Sequence, residues 1–242
     1  MREVLKRSFE KIYCINLNDR VDKWEKCRAI FKKHNIEDLV QRWEATEPKN
    51  KNKKGDCVYA CAHSHVSIIT HAYENNIKNI LILEDDVEFV DDYNGISAEH
   101  ILNAGMSQIK EKNISWDLFF LGYSFKLREF CNYSQLTPNV FQSTNQLQTH
   151  CYAVNSNIYK KIINDNVPGK AAMDEYYGIY LSHKVNALNL FPLITYQRND
   201  ILCDIGNNVR KDRIKLYNRE IQFWEKKLYG YEKDCSINTR SA

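Results

Sequence analysis

The sequence predicts an α/β fold: a mostly parallel sheet with helices on both faces, followed by a C-terminal amphipathic helix. Three observations predict it. Short strand-like stretches (KIYCINL, NILIL, WDLFFL) alternate with longer stretches of helical periodicity, the order that lays helices over a parallel sheet. The run Ile80 to Leu83 is apolar at every position, as a strand covered on both faces requires. The chain has 242 residues, 43% of them hydrophobic, enough for one sizeable core, and it shows no internal repeat and no second domain.

Lys11 to Leu17 reads as a buried strand, closed by the turn-forming Asn16-Leu17-Asn18-Asp19-Arg20. Asp22 to His34 carries Trp24, Cys27, Arg28 and Phe31 at helical spacing, and Val40 to Ala45 alternates as a short strand. Thr46 to Gly55 has nothing to bury and is a solvated loop. A helix follows from Asp56 to about Asn75, with Cys57, Cys61, His65, Ile68, Ile69 and Ala72 on one face. After the ILIL strand, Ala98 to Lys112 is helix-like. Trp116 to Leu121 is a strand stopped by Gly122, and Leu147 to Val154 is another. Asn155-Ser156 can cap a helix running to Asp165. Met173 to His183 is helical, and Leu188 to Gln197 is extended around Pro192. In the tail, Ile214, Tyr217, Ile221, Trp224, Leu228 and Tyr231 form one apolar stripe on a basic amphipathic helix. That stripe packs on its own domain, mediates dimerisation or docks on an anionic membrane surface; the pattern leaves all three open.

A net charge of +3, spread along the chain, does not describe a dedicated nucleic-acid binder. No run of about 18 apolar residues offers a membrane span. The opening MREVLKRSFEKIYCINL reads as no signal peptide. The eight cysteines are dispersed, several within predicted strands and helices, as reduced and buried thiols are. The expectation is a cytoplasmic protein, with the sequons at Asn113 and Asn132 unused.

Chemistry concentrates where ILIL runs into Glu84, Asp85 and Asp86. In an open parallel sheet, ligands bind beyond the carboxyl ends of the strands. Along extended chain Glu84 and Asp86 point one way and Asp85 the other. Such an E-x-D arrangement suits a hard divalent cation, Mn²⁺ or Mg²⁺, that bridges to a diphosphate. A solvated acidic turn fits the same letters. A phospho-accepting receiver domain does not: its acids open the domain, and a later strand ends in aspartate, whereas WDLFFL ends in Gly122. Cys57, Cys61, His63 and His65 carry zinc-ligand residue types, but on a helix His63 points away from the other three, and closed zinc sites need four converging ligands.

Several segments, in order, resemble the family 25 glycosyltransferases, which include bacterial lipooligosaccharide and collagen galactosyltransferases. These are YCINLNDRVDKW (Lys23 standing where the family has a second Arg), GDCVYACAHSHVSII, NILILEDDVEF, WDLFFLGY, QTHCYAVNSNIYKKI, MDEYYG and PLITYQRNDILCDI, with Cys203 in place of a Ser. The resemblance spans about residues 11–206, so residues 1–206 are drawn as the transferase domain and 207–242 as the C-terminal helix. It implies a GT-A (Rossmann-like) fold, a UDP-sugar donor, a glycan or protein acceptor and inversion at the anomeric carbon. Galactose is the sugar expected at the level of the family.

Inverting transfer needs a base for the acceptor hydroxyl and a Lewis acid for the departing diphosphate. Asp174 or its neighbour Glu175 is the candidate base. The metal candidates are Asp86 and Glu84, with Asp204, or less favourably His183, as a further ligand. Asp85 is assigned to the donor, as an acceptor from the ribose or as another metal ligand. Asn16, Leu17 and Arg20 are placed at the nucleotide, where Arg20 would meet phosphate as a forked donor. Ser64 and His65 face the donor pocket or hydrogen-bond inside the domain. His150 and Tyr152 line the acceptor side or pack. A degenerate fold that binds sugar nucleotide or glycan without turnover is the alternative, and a metal-dependent phosphohydrolase is a third reading.

Overall fold

In a computed structural model the described residues are 1–125, 131–199 and 212–230. In chain order the elements are α1 (Arg2–Ser8), β1 (Lys11–Asn16), α2 (Val21–Lys33), β2 (Val40–Glu44), α3 (Lys54–Glu74), β3 (Asn79–Glu84), β4 (Val87–Phe89), β5 (Asp92–Tyr93), β6 (Ile96–Ser97) and α4 (Ala98–Glu111). Then come β7 (Leu118–Phe120), β8 (Ser124–Phe125), β9 (Tyr133–Thr137), β10 (Val140–Ser143), β11 (Gln146–Leu147), β12 (Cys151–Asn155), α5 (Tyr159–Asp165) and α6 (Met173–Glu175). A π-helical turn, Tyr176–Leu181, extends α6 before β13 (Ala187–Leu190), β14 (Thr195–Gln197) and α7 (Arg213–Tyr229).

Eight strands form the central sheet, in the order β2-β1-β3-β12-β7-β13-β10-β9. Six of them run in one direction and β12 and β10 run against them, so the sheet is mostly parallel as expected. Ile80, Leu81, Ile82 and Leu83 of β3 are fully buried, which is why that strand reads as an unbroken aliphatic run.

The reversed β12 matters most for the site. It pairs with β3 so that Cys151 lies opposite Leu83, which brings the beginning of β12 to the carboxyl end of β3. The predicted strand over 147–154 is divided there, because Gln148 adopts a left-handed conformation (φ 75°). The residues between, Thr149 and His150, are thereby delivered beside Glu84, whose amide donates to the His150 carbonyl at 3.0 Å.

Helix α1 and the β9–β10 hairpin were not expected from the sequence. Helix α1 buries only Val4 and Leu5, too few apolar residues to give a clear periodicity. The hairpin turns at Pro138-Asn139, and β9 is largely exposed, so its residues lack the apolar alternation of a core strand. On α2 the buried face holds Lys23, Cys27, Ile30 and Phe31. Arg28, expected on that face, instead pairs with Glu25 and Glu37 at the surface.

The middle of the α7 stripe packs within the chain. Tyr217, Ile221 and Trp224 are buried, and the Trp224 ring lies 4.8 Å from Phe141 and 5.1 Å from Tyr133, centroid to centroid. The Tyr217 hydroxyl donates to the Leu193 carbonyl at 2.9 Å. Tyr231, the last residue of the predicted stripe, lies outside the described residues. No helix among the described residues is long and apolar enough to cross a membrane.

Candidate active site

Strand β3 ends at Glu84, and Asp85-Asp86 form a tight turn into β4, not a continuation of extended chain. The three acids still diverge as their alternation suggested, now because different elements hold them. The Arg198 amide donates to the Asp86 carbonyl at 2.7 Å, and its guanidinium donates to the Asp85 carbonyl at 2.5 Å. Arg198 follows β14, which pairs with β4, so the late strand clamps the acidic turn from behind.

Asp85 faces the core side. Its carboxylate accepts from Asn16 Nδ2 at 2.8 Å and pairs with Lys23 Nζ at 3.2 Å, with both side chains of the ion pair almost fully buried. Asn16 is itself consumed: its Oδ1 accepts from Arg42 Nε at 2.9 Å, and its Nδ2 also donates to the Arg20 carbonyl at 3.1 Å. Leu17 is buried, and its carbonyl accepts from Arg42 at 3.2 Å. The Arg20 guanidinium is forked onto Asp22, which holds the Asp22 carboxyl down at about 2. Asn16, Asp85, Lys23 and Arg42 are thus one buried polar network that fixes the ends of β1 and β3 to α2. Asp85 has its oxygens turned into this network.

Glu84 and Asp86 lie on the other side. Glu84 accepts from Thr149 Oγ1 at 2.6 Å and stands 3.4 Å from His65 Nε2. Asp86 accepts from Gln197 Nε2 at 3.0 Å. His65 is buried, with Nδ1 2.9 Å from the Tyr152 hydroxyl, to which the Tyr177 hydroxyl donates at 3.3 Å. A polar chain therefore runs from the core to Glu84. If Tyr152 donates to Nδ1, the His65 proton sits on Nε2 and faces the carboxylate. Ser64 does not join it: its hydroxyl donates to the Ala60 carbonyl at 2.7 Å and accepts from the Thr46 amide at 2.9 Å. Ser64 and His65 both hydrogen-bond inside the domain.

Glu84 opens onto a pocket of about 250 Å³, lined also by Cys61, Thr149, Asp174, Gln197, Arg213 and Leu216 among others. Asp174, in the first turn of α6, faces Glu84 across it. Burial raises the Asp174 carboxyl above its ordinary range and the charge of Glu84 adds to this. The Gln148 and Glu175 amides, which donate to its two oxygens, act in the opposite direction. Glu175 is half-buried and is not among the described residues lining the pocket. Behind the pocket, His150 is fully buried 3.3 Å from Thr195 Oγ1. Burial lowers its pKa below the usual imidazole value, with Asp86 and Glu84 pulling it up and Arg213 pushing it down, so all three charges are near. Tyr152 is core, stacked on Phe120. His183 is exposed, and Asp204 and Cys203 lie outside the described residues.

No three His, Cys, Asp or Glu side chains converge as a metal cage among the described residues, the Cys57, Cys61 and His65 face of α3 included. Mg²⁺ and Mn²⁺ do not require one when phosphate oxygens fill their shell, since one or two carboxylates suffice. The charges of Glu84 and Asp86 both act on His150, so both lie near it. Asp85 is held by Lys23 and Asn16.

The description of glycosyltransferase family 25 (LPS biosynthesis protein) matches residues 55–177, just over half of the chain. The chain belongs to glycosyltransferase family 25. The matched span of this glycosyltransferase holds α3, the acidic turn, the Thr149-His150 corner and Asp174; Asn16, Lys23, Gln197 and Arg213 lie beyond it. Among solved structures the transferase is similar to a glycosyltransferase involved in the glycosylation of the major capsid of PBCV-1, at 11% identity over 71% of this chain and 75% of that one (TM-score 0.40). It is also similar to A197 from STIV, at 14% identity over 83% and 87% of the two chains (TM-score 0.42). A third likeness is to UDP-glucose pyrophosphorylase complexed with UDP-glucose, at 13% identity over 90% and 81% (TM-score 0.42). No curated protein sequence matches the transferase.

Sequence reasoning missed Thr149, Gln197, Lys23, Arg42 and Arg213. Lys23, Thr149 and Gln197 lay in segments already singled out (YCINLNDRVDKW, QTHCYAVNSNIYKKI and PLITYQRNDILCDI) without being assigned a role at the site. The others become site residues through strand order and helix packing, which local periodicity does not encode.

Proposed function

We propose that this glycosyltransferase moves a hexose from a UDP-sugar to a hydroxyl of a glycan or protein acceptor, with inversion at the anomeric carbon. Galactose is the first donor sugar to test. One observation carries the reading: a half-buried carboxylate of raised pKa, Asp174, shares a pocket with the strand-end acid Glu84, and Asp86 stands behind it.

The pocket formed by the described residues is smaller than the ~300–1,000 Å³ usual for a whole drug-sized ligand. It therefore takes the reacting end of a donor rather than the entire nucleotide. Asp174 accepts the proton of the acceptor hydroxyl as that oxygen attacks the anomeric carbon. A base with a pKa lifted toward the working pH by burial suits this task. Glu84 and Asp86 would hold Mn²⁺ or Mg²⁺, which when bound supplies positive charge for the departing diphosphate. Thr149 and His65 fix the Glu84 carboxylate, Gln197 fixes Asp86, and Arg198 fixes the turn between them, so the acids need no reorganisation when donor arrives.

Transfer of radiolabelled galactose from UDP-galactose to a panel of saccharide acceptors, with Mn²⁺ and with EDTA, tests the proposal. Product is expected with Mn²⁺, none in Asp86→Ala and at least about 100-fold less in Asp174→Asn. Wild-type chain that binds UDP-sugars yet turns none over with any acceptor sinks it.

A further inference from the structure

Helix α7 lies beyond the matched span, yet its first turn forms one wall of the pocket. Arg213 and Leu216 line the same cavity as Glu84 and Asp174, and both also line the adjoining cleft with Gln148, Thr195 and Gln197. Three contacts hold that turn in place. The Arg213 amide donates to Asn199 Oδ1 at 2.5 Å, Tyr217 is bonded to the Leu193 carbonyl, and Trp224 is locked among Tyr123, Phe125, Phe141 and Phe191.

Charge makes this wall distinctive. The described residues lining the pocket include two carboxylates, Glu84 and Asp174, and Arg213 is the only cationic side chain among them. An arginine kept beside acids, in a pocket proposed to release a diphosphate, has the chemistry of an oxyanion binder. Its planar fork matches two phosphate oxygens at once, and it stays charged at any working pH. Of the residues read from the sequence as nucleotide contacts, Arg20 is forked onto Asp22 and Asn16 engages Arg42 and Asp85, and none of Asn16, Leu17 and Arg20 is among the described residues lining this pocket.

We propose that Arg213 binds the diphosphate of the donor, which makes α7 part of the active site. The inference rests on the nucleotide-sugar reading above, and it adds a residue and an element that the family match does not reach. A cation at this position neutralises charge that the acids alone would repel, and it stabilises the leaving diphosphate as its negative charge grows.

Titration calorimetry with UDP, UMP and uridine, in the presence of Mn²⁺, tests the assignment on wild type, Arg213→Gln, Arg213→Lys and Lys215→Ala. Loss of a charge-assisted fork is expected to weaken UDP binding about 10- to 100-fold in Arg213→Gln. Uridine affinity should stay within twofold of wild type. The same comparison of UDP with uridine in one variant guards against a folding defect, since misfolding would weaken both. Arg213→Lys, which keeps the charge and loses the fork, should fall between. Lys215→Ala, altered on the exposed side of α7, should bind UDP as wild type does. Equal UDP affinity in wild type and Arg213→Gln overturns this inference and leaves the donor reading intact. Wild type that binds neither UDP nor UMP overturns both.

Discussion

Replacing Lys23 by Met is the sharpest test of how the acidic turn is held. The substitution keeps most of the apolar stem and deletes the ammonium that meets Asp85 Oδ1 at 3.2 Å. The two side chains are 5% and 12% exposed, so solvent cannot replace the lost partner. Removing one member of a buried ion pair costs about 3–5 kcal/mol, because the remaining charge stays in a poor solvent. Asp85 retains the Asn16 amide, which places the expectation near the lower limit, about 3 kcal/mol. For a chain of this length each kcal/mol moves the melting temperature by about 2–4 °C, giving a fall of roughly 6–12 °C. Thermal melting followed by circular dichroism at pH 7 measures it. The double variant Lys23→Met/Asp85→Asn should be more stable than Lys23→Met alone, since the stranded charge is gone. A Lys23→Met protein that melts within about 3 °C of wild type would refute the buried-pair reasoning, as would a double variant less stable than the single one.

The remaining predictions concern the pocket and its supports. Asp174→Asn should reduce kcat about 10²–10⁴-fold, the usual contribution of a general base. Because burial raises the Asp174 carboxyl above 3.8, its protonated form is the one the fold favours. Its stabilising contribution is complete below that value and lost as pH rises through the folded pKa. Urea titrations should accordingly find Asp174→Asn gaining stability relative to wild type between pH 4 and pH 7. Gly122→Ala would bring a methyl group to 2.3 Å from His150 Nε2 and 2.5 Å from the Thr195 carbonyl oxygen. A loss of about 1–3 kcal/mol in urea unfolding is expected from the overpacking. Trp224→Ala should cost about 3–5 kcal/mol, since the fully buried indole fills the space between α7 and the sheet; an unchanged unfolding midpoint would show that α7 is not part of the cooperative fold.

The sequence by itself determined the elements whose residues report their own surroundings. The ILIL run announces a strand covered on both faces, and the period of α3 announces which side is buried, because burial acts residue by residue and leaves a local signature. The acids after β3 and the aspartate in α6 likewise stood out in the sequence as candidates, though not their partners. Tertiary structure alone decided those partners. Strand β12 runs against its neighbours and delivers Thr149 and His150 to Glu84. Helix α2 turns Lys23 inward to Asp85, and α7 carries Arg213 to a pocket built mostly from residues some 40 to 150 positions earlier. Asp85 shows the division most clearly: it is an acid like its neighbours, and only the approach of Lys23 and Asn16 makes it an anchor, while Glu84 opens onto the pocket and Asp86 is held by Gln197.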